Sequence, residues 1–164
     1  LEVLTQENPK ASSSSSILLI PLFLLPGKHV LNDIPKIFRR LSNQGIDTQL
    51  VPFLGSWPCW ISILKYFVNL ISNNEKSILL HHPINSGEDG NRYLKNLNRI
   101  LEIPIISWTQ WHGFSDNSDQ RYTPIPFALA PNKNTKGLRK SDSISSLLEV
   151  DLFMFNLIKI LSII

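Results

Sequence analysis

The sequence is poor in cysteine and in charged residues. Cys59 is the only cysteine among 164 residues, which excludes a disulfide framework and any zinc site built from several cysteines. Charged residues make up 18% of the chain and the formal net charge is +3. This balance predicts no nucleic-acid partner, although it suits a small polyanionic ligand. Hydrophobic residues make up 43%, which excludes wholesale disorder and predicts a packed core.

Long hydrophobic runs are also missing. The most apolar stretches are Ile17–Leu25 and Leu152–Ile164, and both fall short of the ~20 residues that a membrane-spanning helix needs. The first lacks the basic segment and the cleavage site of a signal peptide, so we interpret it as a buried parallel strand. The second stretch predicts either a helix that lacks a packing partner or a truncated end of the chain. We expect no membrane partner and a cytoplasmic location.

Several motifs that mark nucleotide binding or catalysis do not occur. There is no Gly-x-Gly-x-x-Gly and no Walker loop, so we expect no nucleotide. His-Glu-x-x-His and Cys-x-x-Cys are absent as well. Ser56 lies in Leu-Gly-Ser-Trp rather than in the Gly-x-Ser-x-Gly of hydrolases, and we interpret it as the N-cap of a helix.

Strand-like and helix-like patterns alternate along the chain. After the first predicted strand, apolar residues recur at helical spacing from Ile34 to Leu41. The alternation then continues to the last helix, which predicts an α/β fold with a mostly parallel sheet. The predicted strands are Ile17–Leu25, Gln49–Leu54, Ser77–His81, Pro104–Trp108 and Tyr122–Leu129.

Cap and turn residues set the expected boundaries. Asp33 is placed to cap the first helix, Pro35 fits its first turn, and Gly45 ends it. Two prolines within the fifth strand place that strand at a sheet edge. The remaining boundaries are loops over Ser86–Gly90 and His112–Gln120, and a last helix that starts near Ser141–Ser143.

A short internal repeat links two parts of the chain. Phe23–His29 resembles Phe127–Asn134, with one inserted residue. Both segments have the pattern of a strand end followed by a turn. The repeat predicts two degenerate halves, over residues 1–75 and 76–164.

His29 is the most informative polar residue. It follows a predicted strand and a Pro-Gly turn, which places it at the carboxyl end of a parallel strand, where open α/β sheets bind ligands. A neutral imidazole there can bind a metal ion or accept a proton. An ordinary surface histidine is the alternative. The neighbouring Lys28 is either a carboxylate-binding cation or part of a solvated face.

Two other groups have an open role. His81 and His82 end a predicted strand, and because side chains alternate along a strand, only one of them faces a given side of the sheet. One is then a site residue, and the other a core or surface histidine. Trp57 and Trp60 either stack on a planar ligand or pack in the core, and the core is favoured for Trp60.

Pro21–Pro35 carries a specific resemblance. Its sequence Pro-Leu-Phe-Leu-Leu-Pro-Gly-Lys-His-Val-Leu-Asn-Asp-Ile-Pro resembles the signature of CbiX-type sirohydrochlorin chelatases, Pro-Leu-Phe-x-x-x-Gly-x-His-Val-x-x-Asp-Ile-Pro. Pro52–Ser56 resembles the Pro-x-Leu-Gly-Ser segment of that family. Leu79–Asn91 is similar to the Leu-Leu-Ala-His-Gly-Ser segment that opens a repeat.

The resemblance implies a fold and an activity. The fold would be a parallel-sheet α/β chelatase fold with flavodoxin-like layers, whose halves pair by duplication or as a homodimer. The activity would be the ATP-independent insertion of Co²⁺ or Fe²⁺ into sirohydrochlorin, a lyase-class step toward cobalamin or siroheme. His29 and His82 would bind the metal and remove pyrrole protons. Lys28, Asp33 and Ser56 would contribute to binding the tetrapyrrole.

Four departures from the family pattern support a second hypothesis. The His-Gly segment of the first repeat would lie before Leu1, Pro83 follows His82 where glycine is expected, and Asn134 stands where the repeat would mirror His29. The helix expected between Trp108 and Tyr122 is replaced by a polar loop in this interpretation. The alternative is therefore a non-catalytic member or fragment of the family that binds a metal or a tetrapyrrole.

Overall fold

Two parallel sheets organise the protein, and their strands come from successive parts of the chain. This computed structural model describes residues 16–72, 76–84, 87–115, 122–136 and 146–164. All strand pairings in these ranges are parallel, so the α/β prediction is confirmed. One sheet pairs β1 (Ile17–Leu19) with β2 (Thr48–Leu50), and the other places β3 (Lys76–His81) between β4 (Ile105–Ser107) and β5 (Tyr122–Pro126).

Helices connect the strands. A π-helical turn (His29–Asp33) leads into the first of them, and short 3₁₀ turns cover Leu54–Ser56 and Leu147–Glu149. Within the described ranges, no helix is both long and apolar enough to cross a membrane. The helices are α1 (Ile34–Asn43), α2 (Pro58–Ser72), α3 (Gly87–Leu101), α4 (Trp108–Ser115), α5 (Lys133–Lys136) and α6 (Asp151–Leu161).

β3 is the most deeply buried strand. Every residue after Lys76 in it is buried, because apolar groups cover both faces. Leu79 belongs to the main core, whereas Ile78 and Leu80 pack with Trp108 on the opposite face. A strand covered on both faces reads as a continuous apolar run, which is the pattern seen in this sequence.

The main core combines residues from both predicted halves. Phe153 of α6 packs against Trp60 and Phe67 of α2, with ring centroids 5.3 and 5.0 Å apart. The prediction that the last helix lacks a partner is therefore wrong for this face. The opposite face of α6 carries Phe155, which is 66% exposed.

The end of α1 follows the sequence closely. Gly45 has a φ of 75°, which only glycine adopts without strain. The N–H of Ile46 donates to the carbonyl of Leu41, and the N–H of Gly45 donates to that of Ser42. This is a Schellman motif, and the prediction that Gly45 ends the helix is confirmed.

β1 ends six residues earlier than predicted. The chain from Pro21 to Leu25 leaves the sheet, because it runs beside the 3₁₀ turn instead of a strand. Leu54 donates its N–H to Pro21, and Gly55 donates its N–H to Phe23. The segment after β1 is therefore held by hydrogen bonds to the 3₁₀ turn. The spacing of apolar residues in the sequence does not predict such bonds.

Two predicted loops are partly helical. α3 begins at Gly87, with Glu88 and Asp89 in its first turn. Carboxylates at this end of a helix interact favourably with the helix dipole. α4 begins after Ser107, and Ser107 and Gln110 bond reciprocally to each other's backbone N–H at 3.3 and 2.8 Å. This capping box makes the loop prediction wrong over residues 112–115.

Two other boundary predictions have different outcomes. β5 lies at the edge of its sheet, as predicted from Pro124 and Pro126, but it ends at Pro126 rather than at Leu129. The predicted start of the last helix near Ser141–Ser143 lies outside the described residues.

Candidate functional site

One cleft collects the loops that follow three of the parallel strands. The loops follow β1, β3 and β5, and their carboxyl ends meet at a single edge, as expected for ligand sites of open α/β sheets. The cleft has a volume of about 850 Å³, in the upper part of the range for small-molecule sites. Its lining comes from residues 22–32, 82–84 and 127–132.

Most of the cleft wall is apolar. The polar side chains that line it are Lys28, His29, Asn32, His82 and Asn132. Such a wall offers flat hydrophobic contact to a ligand, while a few polar groups fix its orientation. The apolar members are Leu22, Phe23, Leu24, Leu25, Leu31, Pro83, Ile84, Phe127, Ala128, Leu129 and Ala130.

His29 lies at the start of the π-helical turn and is held on two sides. Its Nδ1 is 2.7 Å from Oδ2 of Asp33, and its ring stacks on that of Phe23 with centroids 5.8 Å apart and planes 19° apart. The side chain is nevertheless 71% exposed. The imidazole is therefore oriented while one edge stays open to a ligand.

The π-helical turn has a local cause in the sequence. The N–H of Ile34 donates to the carbonyl of His29, five residues back. Pro35 has no N–H to offer the carbonyl of Leu31, and its ring would clash with that carbonyl in a regular helix. A wider turn relieves the clash, and such turns often lie at functional sites.

Asp33 does not cap the helix as predicted. Its backbone is helical, with φ −79° and ψ −44°, and its side chain makes no capping hydrogen bond. The helical path already begins at His29, so Asp33 lies one turn after the histidine. Its carboxylate accepts from the ring instead, a contact that the i,i+4 spacing of the two residues allows.

His82 reaches the same cleft from the end of β3. Nδ2 of Asn132 lies 3.2 Å from its Nε2. The backbone N–H of Thr135 donates to Oδ1 of Asn132 at 3.2 Å, which fixes the amide with its NH₂ group toward the histidine. His82 therefore accepts through Nε2 and carries its proton on Nδ1.

His81 points away from the cleft and is buried. Its Nδ1–H donates to the carbonyl of His82 at 2.6 Å, and burial lowers the pKa of His81 below its usual value. The prediction that the two histidines have different environments is confirmed, with His82 at the cleft and His81 in the interior.

The remaining sequence candidates divide into two groups. Lys28 lines the cleft beside His29, whereas Asp33 and Ser56 are not part of its lining. Ser56 is not an N-cap: its hydroxyl donates to the carbonyl of Phe53 at 2.7 Å, and α2 begins only at Pro58. A binding role for Ser56 stays a prediction.

Neither tryptophan is placed to stack on a ligand in the cleft. Trp60 is fully buried in the core, as favoured from the sequence. Trp57 is also buried, and its Nε1 donates to the carbonyl of Pro52 at 2.7 Å. The stacked aromatic ring in the cleft lining is that of Phe23, which packs on His29 and which sequence reasoning missed.

The comparisons with known proteins agree with this geometry. Residues 5–69 match the CbiX family. This segment is similar to the CbiX family and makes up less than half of the chain. The resemblance found in Pro21–Pro35 is confirmed, and the matched segment contains Lys28, His29, Asp33 and Ser56.

A solved structure extends the comparison to the fold. SirB from Bacillus subtilis, determined with Fe³⁺, has a TM-score of 0.58 to this chain at 16% sequence identity. The match covers 78% of this chain and 58% of SirB, so the chain spans little more than half the length of that protein. No curated protein sequence matches the chain. The likeness shows that the chain shares the α/β fold of that protein.

The cleft presents few metal ligands. In the described part of the chain, no three or more side chains of histidine, cysteine, aspartate or glutamate cluster in a way that could bind a metal ion. His29 and His82 line one cleft, but each of them has a different hydrogen-bonding partner. Asn132 lines the cleft beside His82, and the repeat alignment, which pairs a different asparagine with His29, does not point to it.

Proposed function

We propose that this chain acts as a sirohydrochlorin chelatase-like protein, which inserts Co²⁺ or Fe²⁺ into a tetrapyrrole without ATP. The observation that carries the proposal is the apolar cleft of about 850 Å³ with imidazoles of His29 and His82 in its lining. A metal ion alone needs far less room, whereas a macrocycle requires a wide apolar wall. The CbiX match and the Fe³⁺ in the SirB structure support the same chemistry.

Metal insertion makes two demands that an imidazole can meet. The metal needs a ligand that can release it, and the two pyrrole N–H groups need a base that accepts their protons. The metal enters as a dication, two protons leave, and the macrocycle keeps its charge. His29 offers an exposed ring edge for the metal and is the first candidate for both roles. His82 is the second candidate for the proton acceptor, once its Nε2 is released from the amide of Asn132.

Lys28 would bind the carboxylate groups of the substrate. It lies next to His29 in the cleft lining, and sirohydrochlorin carries several carboxylate groups. An ammonium attracts such groups electrostatically without requiring a fixed geometry. A cytoplasmic location, a homodimer and a role in cobalamin or siroheme formation belong to this proposal as well.

The test is anaerobic absorbance spectroscopy of the purified chain with sirohydrochlorin and Co²⁺ or Fe²⁺, against a reaction without protein. We expect faster metallation with the protein present, and loss of the acceleration in His29→Ala. Lys28→Ala should raise KM with less effect on kcat, because it removes a charge that binds substrate. Lys65→Ala is the matched control, since Lys65 pairs with Glu102 outside the cleft lining.

A second candidate function is binding without turnover. It is favoured by the small number of ligands in the described cleft and by the hydrogen bond that occupies Nε2 of His82. This function predicts a shift of the sirohydrochlorin spectrum on adding protein, with no acceleration by either metal. Acceleration by wild type that persists in His29→Ala would remove His29 from the mechanism.

A further inference from the structure

The two histidines of the cleft have partners of opposite chemistry. Asp33 is an acceptor, so Nδ1 of His29 carries the proton in that contact at 2.7 Å. The lone pair of His29 then lies on Nε2, to which no described residue bonds. In His82 the proton also lies on Nδ1, but Nε2 already accepts from the amide of Asn132 at 3.2 Å.

Both partners are themselves fixed in place. Asp33 and His29 share one helical path, four residues apart, so the carboxylate reaches Nδ1 of the ring without rearrangement. Asn132 is held by two reciprocal hydrogen bonds with Thr135. The backbone N–H of Asn132 donates to Oγ1 of Thr135, and Oδ1 of Asn132 accepts from the backbone N–H of Thr135. The contacts are therefore built by local backbone geometry rather than by chance rotamers.

The inference rests on the proposed function. We propose that Asp33 and Asn132 are positioning residues with opposite effects. Asp33 keeps Nε2 of His29 open to a divalent metal, and Asn132 occupies Nε2 of His82, so that an incoming metal binds His29 first. A carboxylate behind a metal-binding histidine fixes its tautomer and strengthens it as a ligand. An amide donor on the ligand nitrogen competes with the metal for the same lone pair.

The first test needs no metal. Two-bond ¹H–¹⁵N correlation spectra of imidazole-labelled protein report which ring nitrogen is protonated, at about pH 8, where an ordinary histidine is neutral. Both rings should be protonated at Nδ1 in the wild type. Asp33→Ala should move His29 alone toward the Nε2-protonated form, and Asp33→Asn, which retains an acceptor, should restore part of the wild-type signal. An unchanged His29 tautomer in Asp33→Ala would overturn the inference.

The second test titrates the chain with Co²⁺ alone and follows its visible absorption. Asp33→Ala should weaken binding by about 10- to 100-fold. Asn132→Ala should strengthen it, and the gain should vanish in the double variant with His82→Ala. Weaker binding in both single variants would indicate a merely structural role and would overturn the inference. If the wild type binds no Co²⁺ at all, the proposed function fails as well, whereas a failure confined to the tautomers overturns the positioning roles alone.

Discussion

The two sheets differ sharply in how deeply they are buried. Every residue of β3 after Lys76 is buried, whereas β1 and β2 contain no buried residue, and neither does α1 beside them. The sheet around β3 lies in the core, and the amino-terminal sheet packs at its margin. His29 and Lys28 come from the lightly packed region. The comparison suggests that stability resides mainly in one region, while the exposed histidine is presented by the other.

The amino-terminal region is nevertheless closely packed against the core where Leu24 meets Gly55. Leu24 is buried, and Gly55 lies so close to it that a Cβ on Gly55 would overlap the backbone of Leu24. The hydroxyl of Tyr93 in α3 donates to the carbonyls of both residues, at 3.0 and 2.8 Å. This junction, made by Leu24, Gly55 and Tyr93, fixes the cleft loop to the core.

The largest effect is expected in the core itself. Phe153→Ala should lower the free energy of unfolding by about 3–5 kcal/mol, because the fully buried ring contacts Trp60 and Phe67. Phe155→Ala, on the exposed face of the same helix, should change it by less than about 0.5 kcal/mol. Urea denaturation measures both values. Equal losses would mean that α6 does not pack as described.

The comparison of the sheets is tested directly by one leucine from each. Leu79→Ala in β3 should cost about 2–5 kcal/mol, since its side chain is fully buried. Leu50→Ala in β2 should cost less than about 1 kcal/mol, because its residue is 37% exposed. Urea denaturation measures the free energy of unfolding of both variants. A loss at Leu50 as large as that at Leu79 would contradict the assignment of stability to the β3 sheet.

The junction should respond to a single methyl group. Gly55→Ala should destabilise the chain by about 1–3 kcal/mol, because the new Cβ meets backbone rather than a flexible side chain. Gly27→Ala is the matched control, since no atom lies within 4 Å of a Cβ placed there. Thermal unfolding of the two variants measures the difference. If Gly55→Ala were as stable as Gly27→Ala, the close approach to Leu24 would not exist in solution.

The smallest effect concerns the hydroxyl of Tyr93. Tyr93→Phe should cost about 1 kcal/mol at neutral pH, because the hydrogen bonds to Leu24 and Gly55 are lost. Burial raises the pKa of Tyr93 above its usual value, which is about 10. Above that pH the unfolded chain releases the proton while the folded chain retains it, so this contribution to stability falls as pH rises.

The variant should therefore approach the wild type in alkaline solution. Unfolding free energies of Tyr93→Phe and wild type, measured from neutral pH to about pH 11, should converge above about pH 10. Tyr66→Phe is the control, since Tyr66 is exposed, and its difference from the wild type should stay near zero. A constant difference for Tyr93→Phe would mean that the hydroxyl is not buried.

Local signals in the sequence determined much of this protein. The residues of β3 predicted a strand, Gly45 predicted the end of α1, and the prolines of β5 predicted an edge. Each of these depends on the nearest few residues, whose steric and hydrogen-bonding limits are the same in any fold. The motif around His29 likewise predicted the cleft histidine.

Contacts between distant residues were decided only by the tertiary structure. The run after β1 became a loop because it bonds to residues 53–55, and Asp33 became the partner of His29 because the helical path starts earlier than its cap signal indicates. Asn132 reached His82 from 50 residues away, which no local pattern encodes. Sequence therefore determined which polar side chains are available to the cleft, whereas the structure decided which nitrogen of each histidine is hydrogen-bonded. His29 is oriented by Asp33 because both lie on one helical path, and His82 is oriented by Asn132 because folding brings a separate segment beside it.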